Sequence, residues 1–233
     1  MITLYQFSSS PFTDKVKRAL HYKGLDYTIE EVNRLKAGRG RYDHVSPTRK
    51  FPAVEIAGDA VNDSTDIIIE LDKRYPDKPL IPTSAAERSI AHVIEDWADE
   101  SLYFYEMLMR VEWKHNIDAS WDQMAPTLPK LPTPILKRLV HKGVSKVTAT
   151  QGLGRKPREQ VIADAQRHID SLDGMLEGKE WLVGDSISVA DLSVIAQLKK
   201  LMYAQEIQPM VANSKHVEAW IKRVDELAPS AAV

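Results

Sequence analysis

Three hydroxyls stand together at Ser8, Ser9 and Ser10, directly before Pro11 and the run FTDKVKRALHYKG. Ser10–Pro11 is a helix start, with serine at the N-cap, proline at the first helical position and Gly24 after the last turn. A hydroxyl at a helix N-terminus has two uses. It caps the helix by accepting from a backbone N–H, or it turns outward and donates to an anion, aided by the partial positive charge of the helix end. A second helix start, VNDSTDIIIEL, sets Asp63 and Ser64 in the same kind of position, where a cap and an acidic first turn are the plain reading. Between them, SPTRKFPAV places Lys50 and Phe51 before Pro52, where a strand opens; a proline at the start of an edge strand is the plain reading there. The chain has no cysteine, which excludes disulfides, thiolate metal ligands and a cysteine nucleophile of its own. Its seven histidines are scattered, with no HExxH and no close pair, so neither a structural nor a catalytic metal is expected.

Alternating strands and helices must position these residues. ITLYQF is β-rich and alternates, and the helix after Pro11 carries an apolar stripe at Val16, Ala19 and Leu20, with Lys23 at the same spacing. DYTIEEV reads as a second strand. NRLKAGRGRYDHVSPTRK is a basic loop or short helix. FPAVEI and GDAV are short strands, and DSTDIIIELDKRY is a helix starting near Ser64. The segment DKPLIPT, residues 77–83, holds two prolines and reads as a linker. Beyond it the β signal vanishes. SAAERSIAHVIEDWADESLYFYEMLMRVEWKH is one long helix or two. Four prolines between 126 and 134 break helical structure, and three further helices follow, in PREQVIADAQRHIDSLDGMLEGK, SVADLSVIAQLKKLMYAQ and KHVEAWIKRVDEL. An α/β half thus precedes an all-helical half. GLG at 152–154 is not a dinucleotide motif, because no strand precedes it and the spacing is wrong.

Bulk properties narrow the function classes. With 233 residues the chain can bury a sizeable core in one large domain or two small ones. Its 43% hydrophobic and 27% charged residues are those of an ordinary globular protein. A net charge of −2 gives no footprint for nucleic acid or an anionic membrane. No apolar run approaches the ~18 residues of a membrane span. MITLYQF lacks the pattern of a signal peptide, so the cytoplasm is the expected location. Arg34, Lys36, Arg39 and Arg41 read as a solvated face with the charge to attract an anionic substrate.

Taken together, these motifs resemble the cytosolic glutathione transferase superfamily, and the resemblance runs over the whole chain. SPFTDKVK is similar to the CPFC-x-KV of cysteine-bearing relatives and to the SSCS-x-RVR of the zeta class, with Ser10 first and Thr13 fourth. In that superfamily a tyrosine, serine or cysteine at the start of the first helix meets the glutathione sulfur. The resemblance therefore implies that Ser10 is catalytic, with Phe12 beside it and Ser9 the alternative if the loop is displaced by one residue. A hydrogen bond to a charged group contributes about 1.5–3 kcal/mol, enough to lower a thiol pKa by roughly one to two units. SPTRKFPAV resembles NP-x-GKVPAL, which implies a cis Pro52, backbone contacts from Phe51 to the cysteinyl unit and Lys50 near the glycyl carboxylate. Arg49 stands where the family often has glycine, and Phe51 where it often has valine. NDS resembles the [EQD]-S pair that holds the γ-glutamyl group, which assigns Asp63 to its ammonium and Ser64 to its carboxylate. SISVADLSVIAQL matches the family's capping box, Ser188 with Asp191, and a staple between Ile187 and Leu192.

The resemblance implies an α/β plus all-α fold: a thioredoxin-like glutathione-binding domain over residues 1–80 and an all-helical domain over 86–233 that lines an electrophile site. Tyr103, Met107, Arg110 and Trp113, near helical spacing, are the expected pocket residues on the second domain. The expected protein is a homodimeric, metal-free glutathione transferase whose serine hydroxyl stabilises the glutathione thiolate for attack on an electrophilic small molecule. Conjugation, isomerisation and peroxide reduction all remain open. Two alternatives stand beside it. One is a binding or assembly module with little turnover, since GLGRKPREQV also resembles a segment of the metaxin-like branch. The other is a glutathione-dependent isomerase similar to the prostaglandin E synthase type 2 branch.

Overall fold

The computed structural model describes residues 1–230. Strand β1 (Ile2–Gln6) buries Ile2, Leu4 and Gln6 and leaves the alternate residues half-buried, so one face meets the core. Helix α1 (Pro11–Lys23) carries the chain over to β2 (Tyr27–Glu31), which lies parallel to β1 as a helical crossover requires. The basic stretch contains a short helix, α2 (Arg34–Gly38), capped by Asn33, whose side chain accepts from the Lys36 N–H at 3.0 Å. Strands β3 (Ala53–Ile56) and β4 (Asp59–Asn62) complete a sheet in the order β2-β1-β3-β4, with β3 antiparallel to both neighbours. Helix α3 (Ser64–Arg74) closes this half.

The second half is helical. Helix α4 (Ala85–Trp97) continues through a π turn (Ala98–Leu102), α5 (Tyr103–Glu106) and a second π turn (Met107–Glu112), which makes a single interrupted rod. Helix α6 (Trp121–Met124) is one turn. Helix α7 (Thr133–Gln151) is an element the sequence pattern leaves unassigned. Pro134 lies in its first turn, where proline is tolerated, and its valines, threonines and Gly143 give it weak helical propensity. Its order rests on packing: Leu136, Val140 and Val144, four residues apart, meet Val111, Ile117 and Trp121 in a small core of their own. Helices α8 (Arg158–Met175), α9 (Val189–Leu201), α10 (Ile207–Ala212) and α11 (Val217–Leu227) complete the described chain, in which no helix is long and apolar enough to cross a membrane.

One core joins the two halves: Leu4, Leu20, Ile67 and Leu71 are in the same cluster as Leu192, Ile195 and Trp220. Helix α9 packs against α1, and Lys15 and Arg18 are as deeply buried as Val16 and Leu20. Buried charges need partners. Arg18 finds Asp14 and Asp225, each at 2.9 Å, and the Ala228 carbonyl. The Ser188–Asp191 capping box forms at the start of α9, with Ile187 and Leu192 both buried. Asp191 does more than cap. It also accepts from the Leu182 N–H and from Trp220 Nε1, both in the helical half, so one carboxylate ties three segments together.

Candidate active site

A cleft of about 1310 Å³ opens between the sheet-bearing half and the long interrupted helix. Ser9, Ser10, Phe12, Lys50, Phe51, Pro52, Asp63 and Ser64 line it from one side, and Tyr103, Met107 and Arg110 from the other. Ser10 is the N-cap of α1, with extended backbone (φ −79°, ψ 132°), yet its hydroxyl makes no capping hydrogen bond. The turn is held instead by backbone: the Ser10 N–H donates to the Phe7 carbonyl at 2.9 Å. The hydroxyl therefore lies at a helix N-terminus, in the cleft, uncommitted. Ser9 is buried at the same edge and also lines the cleft, whereas Ser8 is exposed and turns away, its N–H donating to Glu31.

The Phe51–Pro52 peptide is cis. The Phe51 side chain packs in a second core, edge-on to Phe7 and Tyr42 with centroids 5.3 and 5.9 Å away, so that core absorbs its bulk while the residue still lines the cleft. Arg49 has φ 57°, the left-handed region where glycine is the easy residue. Its guanidinium forks onto Asp43 with two 3.0 Å bonds and reaches the Gly38 carbonyl, which holds that conformation without glycine. Lys50 is exposed at the rim. Asp63 (φ 82°) caps α3, accepting from the Thr65 N–H at 2.9 Å, while Ser64 behind it is buried against the cleft. At Asp63 the cap that the sequence suggested is thus formed.

The sequence reading missed the polar group beneath this edge. Lys15 Nζ, fully buried, donates to Glu95 at 2.6 Å and Asp99 at 2.7 Å and approaches Thr65 Oγ1 at 3.3 Å. The Thr65 hydroxyl donates to Glu95, and Gln197 reaches Asp99. Burial pushes the Asp99 carboxyl up, and Lys15 pulls it back down. Glu95 and Asp99 line the cleft floor. The signal was present: both fall on the buried stripe of α4 and its π turn, in phase with Ala91, Ala98 and Leu102.

Phe12 packs against Tyr103, with ring centroids 5.0 Å apart, where the two halves of the cleft meet. Burial, with a lesser push from Glu106, holds the Tyr103 phenol up at about 12, so it is protonated at neutral pH. Met107 and Arg110 lie on the second π turn, an irregularity common where helices build sites. Apolar residues of α7, among them Leu139, Val140 and Val144, form the far wall, and Thr127 and Leu128 from the proline-rich segment join them. Trp113 is a correction: the structure does not bring it to the cleft. The helix ends at Glu112, Trp113 turns extended (φ −72°, ψ 109°), and its ring stacks with His115 beneath the Arg158 guanidinium. Among the basic residues 34–41, Arg34 does reach the cleft, its guanidinium 3.9 Å from the Phe7 ring centroid.

Models of the glutathione S-transferase N-terminal and C-terminal domains match residues 4–79 and 141–229. The chain belongs to the cytosolic glutathione S-transferase superfamily. An isoprene-epoxide glutathione S-transferase of Rhodococcus is 26% identical over 216 residues, 86% of this chain and 87% of that protein. Glutathione S-transferase Z2 of Arabidopsis thaliana is 35% identical over 91 residues, 38% of this chain and only 41% of the plant protein. A glutathione S-transferase structure from Rhodospirillum rubrum superposes with a TM-score of 0.70 at 20% identity, over 99% of this chain and 90% of that one, a likeness of fold. Within the superfamily's two-domain plan, the cleft lies where its two halves meet.

Proposed function

We propose that this protein is a glutathione transferase in which Ser10 donates a hydrogen bond to the glutathione thiolate and the helical half holds the electrophile. The observation that carries this reading is the Ser10 hydroxyl, which lines the cleft at a helix N-terminus and is not used as a cap. A donor there favours the ionised thiol twice, by its own hydrogen bond and by the helix field. Ser64, at the start of α3, supplies a second hydroxyl where a helix end favours a carboxylate. Phe51 offers backbone groups beside the cis proline, and Lys50 offers its ammonium at the rim. Asp63 keeps one carboxylate oxygen beyond its capping bond for an ammonium.

The reading includes a homodimer and a cytoplasmic location. Ile69 on α3, with Ile90 and Val93 one turn apart on α4, are exposed apolar residues suited to a subunit contact. Calorimetric titration of the full chain with glutathione, followed by a panel containing an activated aryl halide, an epoxide, an enone and a hydroperoxide, tests it. Binding with turnover of at least one electrophile is expected. Binding without turnover would favour a binding module, and no binding by the folded chain would overturn the reading.

A further inference from the structure

The electrophile half of the cleft has an apolar far wall, but a charged group lies opposite it. Arg110 is only 4% exposed and lines the cleft from the second π turn. One edge of its guanidinium is ion-paired to Glu106, one turn earlier. Its Nη1 is buried with no hydrogen-bond partner. A charged donor left without an acceptor is among the costlier features of an interior, and its natural remedy is a ligand. Glu106 offsets one positive charge. Two more cations stand in the same neighbourhood. Arg34, from the other half of the molecule, lines the cleft on the face of Phe7, donating to Thr127 Oγ1 at 3.3 Å. Lys200 of α9 shares the field of Glu106 and Arg110, and burial, the largest influence on it, lowers its pKa. The Tyr103 phenol, protonated at neutral pH, adds a neutral donor in the same cleft as Arg34 and Arg110, both of which act on it. Of the other carboxylates that line the cleft, Glu95 and Asp99 are bound to Lys15. Glu100 lies ten residues before Arg110, roughly 15 Å along the helix axis, and acts on Tyr103 more weakly than either arginine; Asp96 is further still, and Asp63 and Asp66 line the glutathione side of the cleft.

We propose that the electrophile half of this cleft selects an acceptor that carries a carboxylate, which Arg110 binds through its unpartnered edge with Arg34 and Tyr103 as supporting donors. This rests on the glutathione-transferase reading above. It assigns Arg110 to specificity: the carboxylate takes no part in the bond change, and Arg110 sets which electrophile is held near the sulfur. The apolar wall of α7 then receives the remainder of the molecule. The Glu106–Arg110 pair is also a structural ion pair, so the test must separate the two roles.

Two probes differ by the charge of the benzoate and one methyl group: S-(4-carboxybenzyl)glutathione and the methyl ester of its benzoate. Calorimetry on the full chain should show the acid bound about tenfold more tightly than the ester, the effect of one charged hydrogen bond at the lower end of its range. The double variant Glu106→Gln/Arg110→Met, which removes both charges together, should bring the two probes within twofold of each other. Its affinity for glutathione itself should be unchanged. Arg110→Lys keeps the ion pair but loses the planar fork, and should keep less than half of the preference; it serves as the deciding variant if the double variant does not fold. Equal binding of acid and ester by the natural chain would overturn the proposal, as would a full preference surviving in a folded variant. Failure of glutathione and of both conjugates to bind would overturn the glutathione reading first, a result distinct from either.

Discussion

Replacement of Ser10 by alanine separates a cap from a thiolate donor. A serine that caps a helix stabilises it by about 0.5–2 kcal/mol, and its loss would appear in the unfolding curve. Ser10 makes no such bond, so Ser10→Ala should change stability by less than about 0.5 kcal/mol, as for an ordinary surface change. Its bond to a thiolate would be charge-assisted, about 1.5–3 kcal/mol. Because Ser10 is half-buried rather than enclosed, the lower figure applies, close to one pKa unit. Against a free thiol near pKa 8.5, and setting aside the helix field that protein and variant share, the hydrogen bond would hold the bound thiol near 7.5, giving about 9% thiolate at pH 6.5. The variant would hold about 1% at that pH, and above pH 9.5 the two would converge. The assay is conjugation followed from pH 6 to 10, with the bound thiolate read by its ultraviolet absorbance. A roughly tenfold loss confined to the acidic limb is expected. A stability loss above 1 kcal/mol with an unshifted pH profile would refute the reasoning, and the same shift on Ser9→Ala alone would transfer the role to Ser9.

Lys15→Met should destabilise the fold by about 3–5 kcal/mol, because Glu95 and Asp99 would be left as buried charges without their cation; thermal unfolding measures this, and Lys15→Met/Glu95→Gln/Asp99→Asn should recover most of it. His168, packed against Trp97 and Tyr105, has its pKa lowered from 6.5 by burial, so the folded state binds fewer protons there than the unfolded state. Its contribution is present above pH 6.5 and is lost as pH falls through the depressed folded value, so urea midpoints in that window should fall less steeply in His168→Phe than in the natural chain. Val93→Glu, at a residue 70% exposed, should leave the fold intact and shift sedimentation from dimer to monomer; a dimer that persists unchanged would remove Val93 from the contact.

Signals whose cause is local are legible in the amino-acid sequence alone. Pro11 marks a helix start because its fixed φ suits the first turn, and Ser188 with Asp191 marks another because their side chains cap it. FPAV and NDS were placed by their resemblance to motifs of the superfamily, and the structure has a cis peptide at Pro52 and a positive φ at Asp63 there. Tertiary structure decided what those residues face. Whether the Ser10 hydroxyl caps α1 or enters a cleft depends on the loop from Phe7 and on the long helix opposite, neither of which is encoded at Ser10. Lys15 and Arg18 look like solvated helix positions until the fold covers them, and carboxylates from distant segments, joined at Arg18 by Asp14 of the same helix, make their burial tolerable. Helix α7 has weak propensity of its own and is ordered by the surface it packs on. Trp113 was misplaced because a period of 3.6 was carried across a π turn and past the helix end, where spacing no longer fixes a face. Local chemistry is written in neighbouring residues; which side chains share a cleft is set by contacts between segments that the sequence holds far apart.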